Sequence, residues 1–488
     1  MRWFTRGSAK VRYVVVAAGL FAGVAVVPLG GTAGAATGPT CAASCQSSVT
    51  SDANWILANQ DPSGWIGMAP PTTTVGLLIQ PYSAAYAAIG LSDAYGLDGN
   101  SVYDTSAWSW LVWDKQQMLT YAPTTSNFYS KCTSSNVATL ESATKNISCF
   151  YTPAYCANLA AGVVFHPYGS SDPRTCTGVS GQDYAPVVQP YANSNVTHPY
   201  TDSTDATAGL FLVALQRAYQ NDYFNAATQQ SNPAGALANL QVVDTVPSYC
   251  PASTCGSSVI GDAVTAIHST LDTDGLTWAQ PWYTAKYLED QSESYAGLTA
   301  AASLEAALAA SVPTSSAKHK SDVAIENEAS SMAAGIQSAV SQLWTTTLST
   351  GGPGYGWAKF PSGVVQQTNW TNPTGSATQI YADPQQNAWA VMWGLATGTN
   401  ATSILSTFDA SYGPNATSDT QNWNYPTPTG AYPSPLYWVG IMNATAGDVA
   451  TAVTAVNDEN ATYVPTRIWQ YQPEDAGLAI WAESLTGA

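Results

Sequence analysis

Two kinds of helical segment alternate along the chain from about residue 51 onward. The first kind is amphipathic and comprises residues 51–60, 103–119, 257–271, 320–344, 403–412 and 447–459. The second kind is almost wholly apolar and comprises residues 81–97, 203–219, 292–308, 384–396, 435–442 and 473–485. A helix that is apolar on every side must be buried, whereas an amphipathic helix covers a core with one face. The alternation predicts an all-α fold, an (α/α)6 toroid of six helical hairpins with the apolar helices as its inner ring.

The turns after three of the amphipathic segments resemble one another. Each combines glycine with an aromatic residue, in "QDPSGWIG", "DTDGLTWA" and "GGPGYGWAKF". This weak internal repetition is consistent with hairpins that follow one another around a ring.

The first 35 residues have the features of an export signal. Four basic residues precede an apolar run that reaches about Leu29, and Ala33-Gly34-Ala35 supplies a cleavage site of small residues. No second long apolar run follows, so we expect no membrane-spanning segment once the signal is removed. The expected organisation is a signal peptide (1–35), a linker (36–50) and one barrel domain (51–488), and the expected location is extracellular.

The eight cysteines all lie in the first 255 residues, as expected for disulfides in an exported chain. Cys41 with Cys45 and Cys250 with Cys255 are the natural local pairs. The other four are expected to tie together a segment of about residues 121–197, which fits no helical period and is predicted to be an irregular insertion. No histidine stands at ligand spacing from the cysteines and no glycine-rich nucleotide loop is present, so we expect no metal or other cofactor.

The charge of the chain restricts its partners. The formal net charge is −18, and it becomes −22 when the four basic residues of the signal are removed. Nucleic acids and anionic membrane surfaces both attract cationic patches, so neither is an expected partner. Low charge with many hydroxyl and amide side chains is typical of an exported protein that handles neutral polar ligands.

The first turns of the inner helices are where candidate chemistry concentrates. In a ring of hairpins every inner helix starts at the same end of the barrel, together with its unpaired N–H groups. The residues at these starts are Tyr82, Tyr200, Asp202, Asp205, Asp290, Gln291, Glu293, Tyr381, Asp383, Gln385, Gln386, Tyr437, Gln472, Glu474 and Asp475, and the turns add Trp65, Trp278, Trp282 and Trp357. Acids and amides among flat aromatic rings are suited to binding a sugar, so the expected partner is a carbohydrate.

Two acid pairs, Asp202 with Asp205 and Asp290 with Glu293, are the candidate catalytic residues. Inverting sugar hydrolysis needs two carboxyl groups roughly 6.5–9.5 Å apart, so one acid from each pair is expected to act across the opening. Glu293 is the preferred general acid, Asp202 or Asp205 the preferred base, with Asp383 and Glu474 in reserve. The alternative is helix capping, which explains each pair equally well but not the density of aromatic residues around them.

Three blocks, "YTDSTDATAGLFLVAL", "DTDGLTWAQPWYTAKYLEDQSESYAGLTAAASL" and "YADPQQNAWAVMWGL", resemble the six-hairpin glycosidase-like superfamily. The resemblance runs from about Asp52 to the end of the chain, apart from the cysteine-rich insertion, and its nearest match is a group of exported bacterial proteins. It implies an (α/α)6 barrel and action on carbohydrate. That superfamily includes inverting hydrolases, and similar toroids carry polysaccharide lyases.

The leading interpretation is a secreted glycoside hydrolase that uses carboxylic acid and base catalysis. A polysaccharide lyase is one alternative, with His198 or Tyr200 as base and Lys286 neutralising a uronate. Lys286 has its own simpler interpretation, a salt bridge to Glu289 or Asp290. The other alternative is a non-catalytic carbohydrate-binding envelope protein.

Overall fold

The computed structural model describes residues 41, 43–67, 81–115, 119–120, 148–149, 203–246, 258–279, 285–346, 348, 352–367, 383–412, 424–427, 430–433, 436–463 and 472–488. These residues form thirteen α-helices and eleven short strands. The predicted signal peptide, almost all of the predicted insertion at 121–197, and Cys250 with Cys255 lie outside them.

Six helices form a closed inner ring. They are α2 (Pro81–Asp98), α4 (Thr204–Tyr223), α7 (Leu288–Ala310), α9 (Asp383–Met392), α11 (Tyr437–Ala446) and α13 (Pro473–Thr486). Each contacts the next in this order, and α13 contacts α2, which closes the ring. They correspond to the six apolar segments of the sequence, and in α4 the buried residues run almost without a break from Thr204 to Ala218.

Six further helices cover the ring. They are α1 (Ala43–Ala58), α3 (Ser101–Lys115), α6 (Val259–Thr270), α8 (Ala317–Ala339), α10 (Gly398–Tyr412) and α12 (Val449–Tyr463). Each packs on one or two inner helices, so the chain alternates between an outer and an inner helix. The predicted all-α (α/α)6 toroid is therefore confirmed.

One helix was not predicted. Helix α5 (Pro233–Asp244) lies between α4 and α6, and it contacts α3, α4, α6 and α7. Asn232 caps it by accepting a hydrogen bond from the Gly235 N–H, and proline occupies its first turn, as is favourable at a helix start. Its buried residues recur at helical spacing, Ala236, Leu240 and Val243, so it acts as an extra covering helix.

The strands are short and antiparallel. They are β1 (Leu119–Thr120), β2 (Ser148–Cys149), β3 (Phe224–Asn225), β4 (Gln230–Ser231), β5 (Lys286–Tyr287), β6 (Trp344–Thr345), β7 (Gly354–Tyr355), β8 (Ala358–Lys359), β9 (Val365–Gln366), β10 (Asn424–Thr427) and β11 (Gly430–Pro433). Strand β8 pairs with both β5 and β9, and the other strands pair as β1–β2, β3–β4, β6–β7 and β10–β11. Because β5 runs directly into α7, the three-stranded sheet holds the start of that inner helix.

The three glycine-aromatic turns share one construction. Each follows a covering helix and closes a short antiparallel pair: Gln60 with Ile66 after α1, Leu271 with Thr277 after α6, and Trp344 with Tyr355 after α8. Amides on inner helices then fasten two of these turns. Gln291 bonds both backbone groups of Thr277, and Asn387 bonds both backbone groups of Tyr355. The weak sequence repeat thus corresponds to a repeated way of attaching a turn to the ring.

Two pairs of inner helices cross at glycines. A Cβ atom on Gly297 of α7 would lie 2.3 Å from the Cα of Gly209 in α4. A Cβ atom on Gly90 of α2 would lie 2.5 Å from the Cα of Gly477 in α13. Only glycine allows backbones to approach so closely, and these two crossings set the rotation of α7 and α2 within the ring.

Two smaller predictions can be compared with the structure. Cys41 and Cys45 form a disulfide at the start of α1, which confirms this local pair. Among the described helices, none combines the length and the apolar character of a membrane span. The boundaries of the signal peptide, linker and barrel domain stay predictions.

Candidate active site

The first turns of several inner helices meet at one end of the ring. The Tyr82 hydroxyl in α2 lies within hydrogen-bonding distance of Glu289 Oε1 in α7, at 3.0 Å. The next residue of α2, Ser83, donates through Oγ to Glu474 Oε2 in α13 at 2.6 Å. Gln386 of α9 accepts a bond from the Glu289 N–H at 3.3 Å. Four inner helices are therefore joined near their starting ends, as the hairpin ring predicts.

A buried carboxyl group lies directly behind this junction. Glu293, one turn after Glu289 in α7, is fully buried. Its Oε1 atom accepts hydrogen bonds from the hydroxyls of Tyr82 and Tyr86, both at 2.6 Å, and from Trp389 Nε1 at 3.0 Å. No residue in the described ranges bonds its second oxygen, Oε2. Three inner helices, α2, α7 and α9, thus converge on one carboxyl oxygen.

The surroundings of the junction favour the protonated forms of its carboxyl and phenol groups. Burial and then the charge of Glu289 raise the pKa of Glu293 well above its usual value, although the three donors oppose the shift. Burial and the surrounding carboxylates likewise raise the pKa values of Tyr82 and Tyr86 well above 10.0, so both phenols stay protonated donors. The junction therefore combines phenols with carboxyl groups that hold a proton more firmly than they would in water.

Glu474 forms the opposite side of the junction. It is partly exposed, and its environment raises its pKa because burial outweighs the Ser83 hydrogen bond. The adjacent Asp475 has a different task, since it accepts a hydrogen bond from the Gln472 N–H at 2.7 Å in a capping box. A small recess beside Glu474 is lined by Ile66, Gly67, Ser83, Ala84, Gln472 and Pro473. Of the two acids at the start of α13, Glu474 faces this recess and Asp475 caps the helix.

Asp205 lies within the protein and is fully buried. Its Oδ1 atom accepts hydrogen bonds from the Ser203 hydroxyl and the Ala206 N–H, and Oδ2 accepts from the Thr277 hydroxyl at 2.5 Å. Burial raises its pKa to about 6 against the effect of these donors. Because both oxygens have protein partners, Asp205 joins the start of α4 to the turn after α6.

Lys286 lies in strand β5 and Trp357 directly precedes strand β8, in the sheet region before α7. Lys286 Nζ pairs with Asp272 at 2.5 Å and with Asp274 at 2.7 Å, rather than with the helical neighbours expected from the sequence. Trp357 stacks on Tyr287, with ring centroids 5.8 Å apart and planes 16° from parallel. Its carbonyl oxygen accepts a hydrogen bond from the Leu288 N–H at 2.9 Å, which places this aromatic pair beside the start of α7.

The other predicted residues are distributed as follows. Trp65, Asp290 and Gln386 are buried, and Trp278 is partly buried. Asp202, Tyr200, Trp282 and the side chain of Asp383 lie outside the described residues. The structure thus brings together Tyr82, Glu293, Gln386 and Glu474, and the catalytic and binding roles assigned from sequence stay predictions.

Four residues of the junction were missed by the sequence reasoning: Ser83, Tyr86, Glu289 and Trp389. Helical spacing was the available signal for two of them. Glu289 precedes Glu293 by four residues, and Tyr86 follows Tyr82 by four, so each pair shares one helix face. In the ranges the structure describes, no group of three or more His, Cys, Asp or Glu side chains is arranged to hold a metal ion.

Comparison with known proteins gives a distant likeness. No family model matches the sequence, and no curated protein matches it. A solved structure named as a wild-type glycosidase aligns with 91% of this chain and 97% of its own, at 14% identity and a TM-score of 0.46. A variant glycosidase in complex with glucose aligns over the same shares at 14% identity and a TM-score of 0.44. The function of this chain has to be inferred from its own side chains.

Proposed function

We propose that this protein is a secreted glycoside hydrolase that cleaves a neutral oligo- or polysaccharide with inversion at the anomeric carbon. Glu289 and Glu474 are its reacting carboxyl groups. The observation that carries the proposal is that both are partly exposed and are held at the junction by the adjacent residues Tyr82 and Ser83.

The arrangement suits a reaction that needs two separated carboxyl groups. Consecutive residues of an α-helix point about 100° apart, because the helix has 3.6 residues per turn. Tyr82 and Ser83 therefore hold Glu289 and Glu474 on different sides of the start of α2. In inverting hydrolysis one carboxylic acid protonates the leaving oxygen while the other carboxylate removes a proton from water on the far side of the sugar. Water adds across the bond, and the proton that the acid loses is matched by the one that the base gains.

The surroundings favour an uncharged substrate. Phenols, amides and carboxyl groups make up the described junction, and a uronate would be repelled by its acids. Lys286 and Lys359, on strands β5 and β8, are both paired with Asp274. Since these lysines already have carboxylate partners, they are poor candidates to neutralise a uronate in a lyase reaction.

The first experiment tests the reaction. Incubation of the purified protein with a panel of neutral polysaccharides is expected to release reducing ends without an unsaturated chromophore. Glu289→Gln and Glu474→Gln are each expected to lower kcat by a factor of about 10² to 10⁴, the usual contribution of a general acid or base. Glu328→Gln on the covering helix α8, where Glu328 pairs with His268, is the matched control. An unsaturated product, retention of the polysaccharide without cleavage, or full turnover by both site variants would refute the proposal.

The second experiment assigns the roles. An aryl glycoside with a good leaving group needs no protonation, so it should restore turnover in the variant that lacks the acid. Azide should restore turnover in an alanine variant that lacks the base, with formation of a glycosyl azide of inverted configuration. Proton NMR of the first product formed by the wild-type protein reports the stereochemistry, and retention would refute the inverting assignment.

A further inference from the structure

The Tyr82 hydroxyl contacts two carboxyl groups at once. It lies 2.6 Å from Glu293 Oε1 and 3.0 Å from Glu289 Oε1. A phenol has one proton to donate, and it can also accept through its lone pairs. If both glutamates were ionised, one of the two contacts would bring oxygens together with no proton between them. For both contacts to be hydrogen bonds, the pair of glutamates must hold a proton of its own.

The donors around Glu293 indicate the direction of this bridge. Its Oε1 atom also accepts from Tyr86 and Trp389, so this oxygen is an acceptor in the network. A separation of 2.6 Å is typical of a hydroxyl that donates to a carboxylate. When Tyr82 donates its proton to Glu293, its oxygen is free to accept from Glu289. The carboxyl group that then carries the proton is the partly exposed one.

We propose that Tyr82 and Glu293 are positioning residues that keep Glu289 protonated, with the Tyr82 hydroxyl as the bridge between the two carboxyl groups. The inference rests on the proposed hydrolase function and deepens it, because it makes Glu289 the general acid and Glu474 the base. The titratable groups that face Tyr82 are Glu289, Glu293, Tyr86 and Glu474. Burial and mutual repulsion of the glutamates favour one retained proton on the pair. Burial raises the pKa of Glu293, the three donors at its Oε1 atom oppose that shift, and the hydrogen-bond directions place the shared proton on Glu289.

The chain offers a matched pair of variants. Tyr82→Phe and Tyr86→Phe each remove one hydroxyl at 2.6 Å from the same oxygen of Glu293, but only Tyr82 also bonds Glu289. Tyr355→Phe in strand β7 removes a buried hydroxyl that accepts a hydrogen bond from Asn400 of α10, and it controls for the general effect of losing a buried phenol. Thermal unfolding of all three variants shows whether each is folded before any comparison is made.

The test monitors the titration of Glu289 by carbon-13 NMR of glutamate side-chain carboxyls. The Glu289 signal is assigned by its absence from the spectrum of Glu289→Gln. Tyr82→Phe is expected to move this titration to lower pH by about one unit, since the protonated form loses one hydrogen-bond acceptor. The basic limb of the kcat/KM profile should move by the same amount, with little change in KM. Tyr86→Phe should leave the Glu289 titration in place.

Equal titrations of Glu289 in the wild-type, Tyr82→Phe and Tyr86→Phe proteins would overturn the bridge even if sugar cleavage were observed. A shift confined to Tyr82→Phe supports the bridge even in a protein that cleaves none of the tested polysaccharides, in which case the hydrolase proposal fails alone. Full activity of Tyr82→Phe with an unmoved pH profile would also overturn the inference.

Discussion

Replacement of Gly297 by alanine tests whether the crossing of α4 and α7 is as close as the structure shows. The new Cβ atom would lie 2.3 Å from the Gly209 Cα and 2.6 Å from the Gly209 carbonyl oxygen. Carbon atoms in contact prefer about 3.5–4.0 Å, and neither obstacle is a side chain that can rotate away. The two helices would have to separate by more than about 1 Å along their crossing.

The magnitude follows from two opposing effects. Overpacking of a filled interior costs typically about 1–3 kcal/mol, and a clash between two backbones belongs at the upper end. Alanine is favoured over glycine inside a helix by about 1 kcal/mol. The net expectation for Gly297→Ala is a loss of about 2 kcal/mol in the free energy of unfolding.

The same substitution at Gly335 is the control. Gly335 lies on the exposed face of α8, and a Cβ atom there would meet nothing within 4 Å. Gly335→Ala should therefore stabilise the protein by about 1 kcal/mol through helix propensity alone. Urea unfolding followed by circular dichroism gives both values. A Gly297→Ala variant as stable as the wild-type protein, or more so, would refute the close crossing.

Three further outcomes are expected. Burial raises the pKa of Glu305 to about 9, above its value in the unfolded chain, so its stabilising contribution is present below about pH 4.5 and is lost as pH rises towards 9. Thermal unfolding should accordingly show a higher Tm at pH 5 than at pH 8, and Glu305→Gln should flatten this slope. Asp205→Ala removes the acceptor of the Ser203 hydroxyl and leaves the Thr277 hydroxyl only its longer contact with Gln291 Oε1 at 3.1 Å, so it should lower the free energy of unfolding by about 1–3 kcal/mol in urea titrations. Lys286→Ala should cost about 2 kcal/mol by the same measurement, because Asp272 loses its cation and Asp274 keeps only Lys359. Lys320→Ala at an exposed position should be near neutral.

The ring was predictable from the sequence because its signal is local. A run such as the one in α4, with apolar residues on every face, can only be buried, and six such runs alternate with covering segments. Helix α5 was missed for a physical reason. Its buried residues Ala236, Leu240 and Val243 form a narrow face, and it adds a covering helix where a plain alternation of inner and outer helices has no place for one.

The candidate site was only partly predictable from the sequence. Which acidic residues face the junction depends on contacts between residues that are far apart in the chain. The start of α7 carries Glu289, Asp290 and Glu293, and the sequence pattern singled out only Asp290 and Glu293, as possible caps or possible acids. The rotation of α7 decides which of them faces the junction. That rotation is set by the crossing at Gly297, whose partner Gly209 lies far away in the chain. Asp205 shows the same dependence, since its partner Thr277 belongs to a turn after another helix.

The attachment of Glu289 and Glu474 to neighbouring residues of α2 has a geometric consequence. The distance between the two carboxyl groups depends on the spacing of two adjacent residues in α2, and not on the circumference of the ring. Thermal motion of the ring, or substitutions that move α9 and α11 apart, would change the space available to a sugar chain. The distance between the two carboxyl groups would stay nearly constant. Substrate range and reaction geometry could therefore diverge independently in proteins built on this plan.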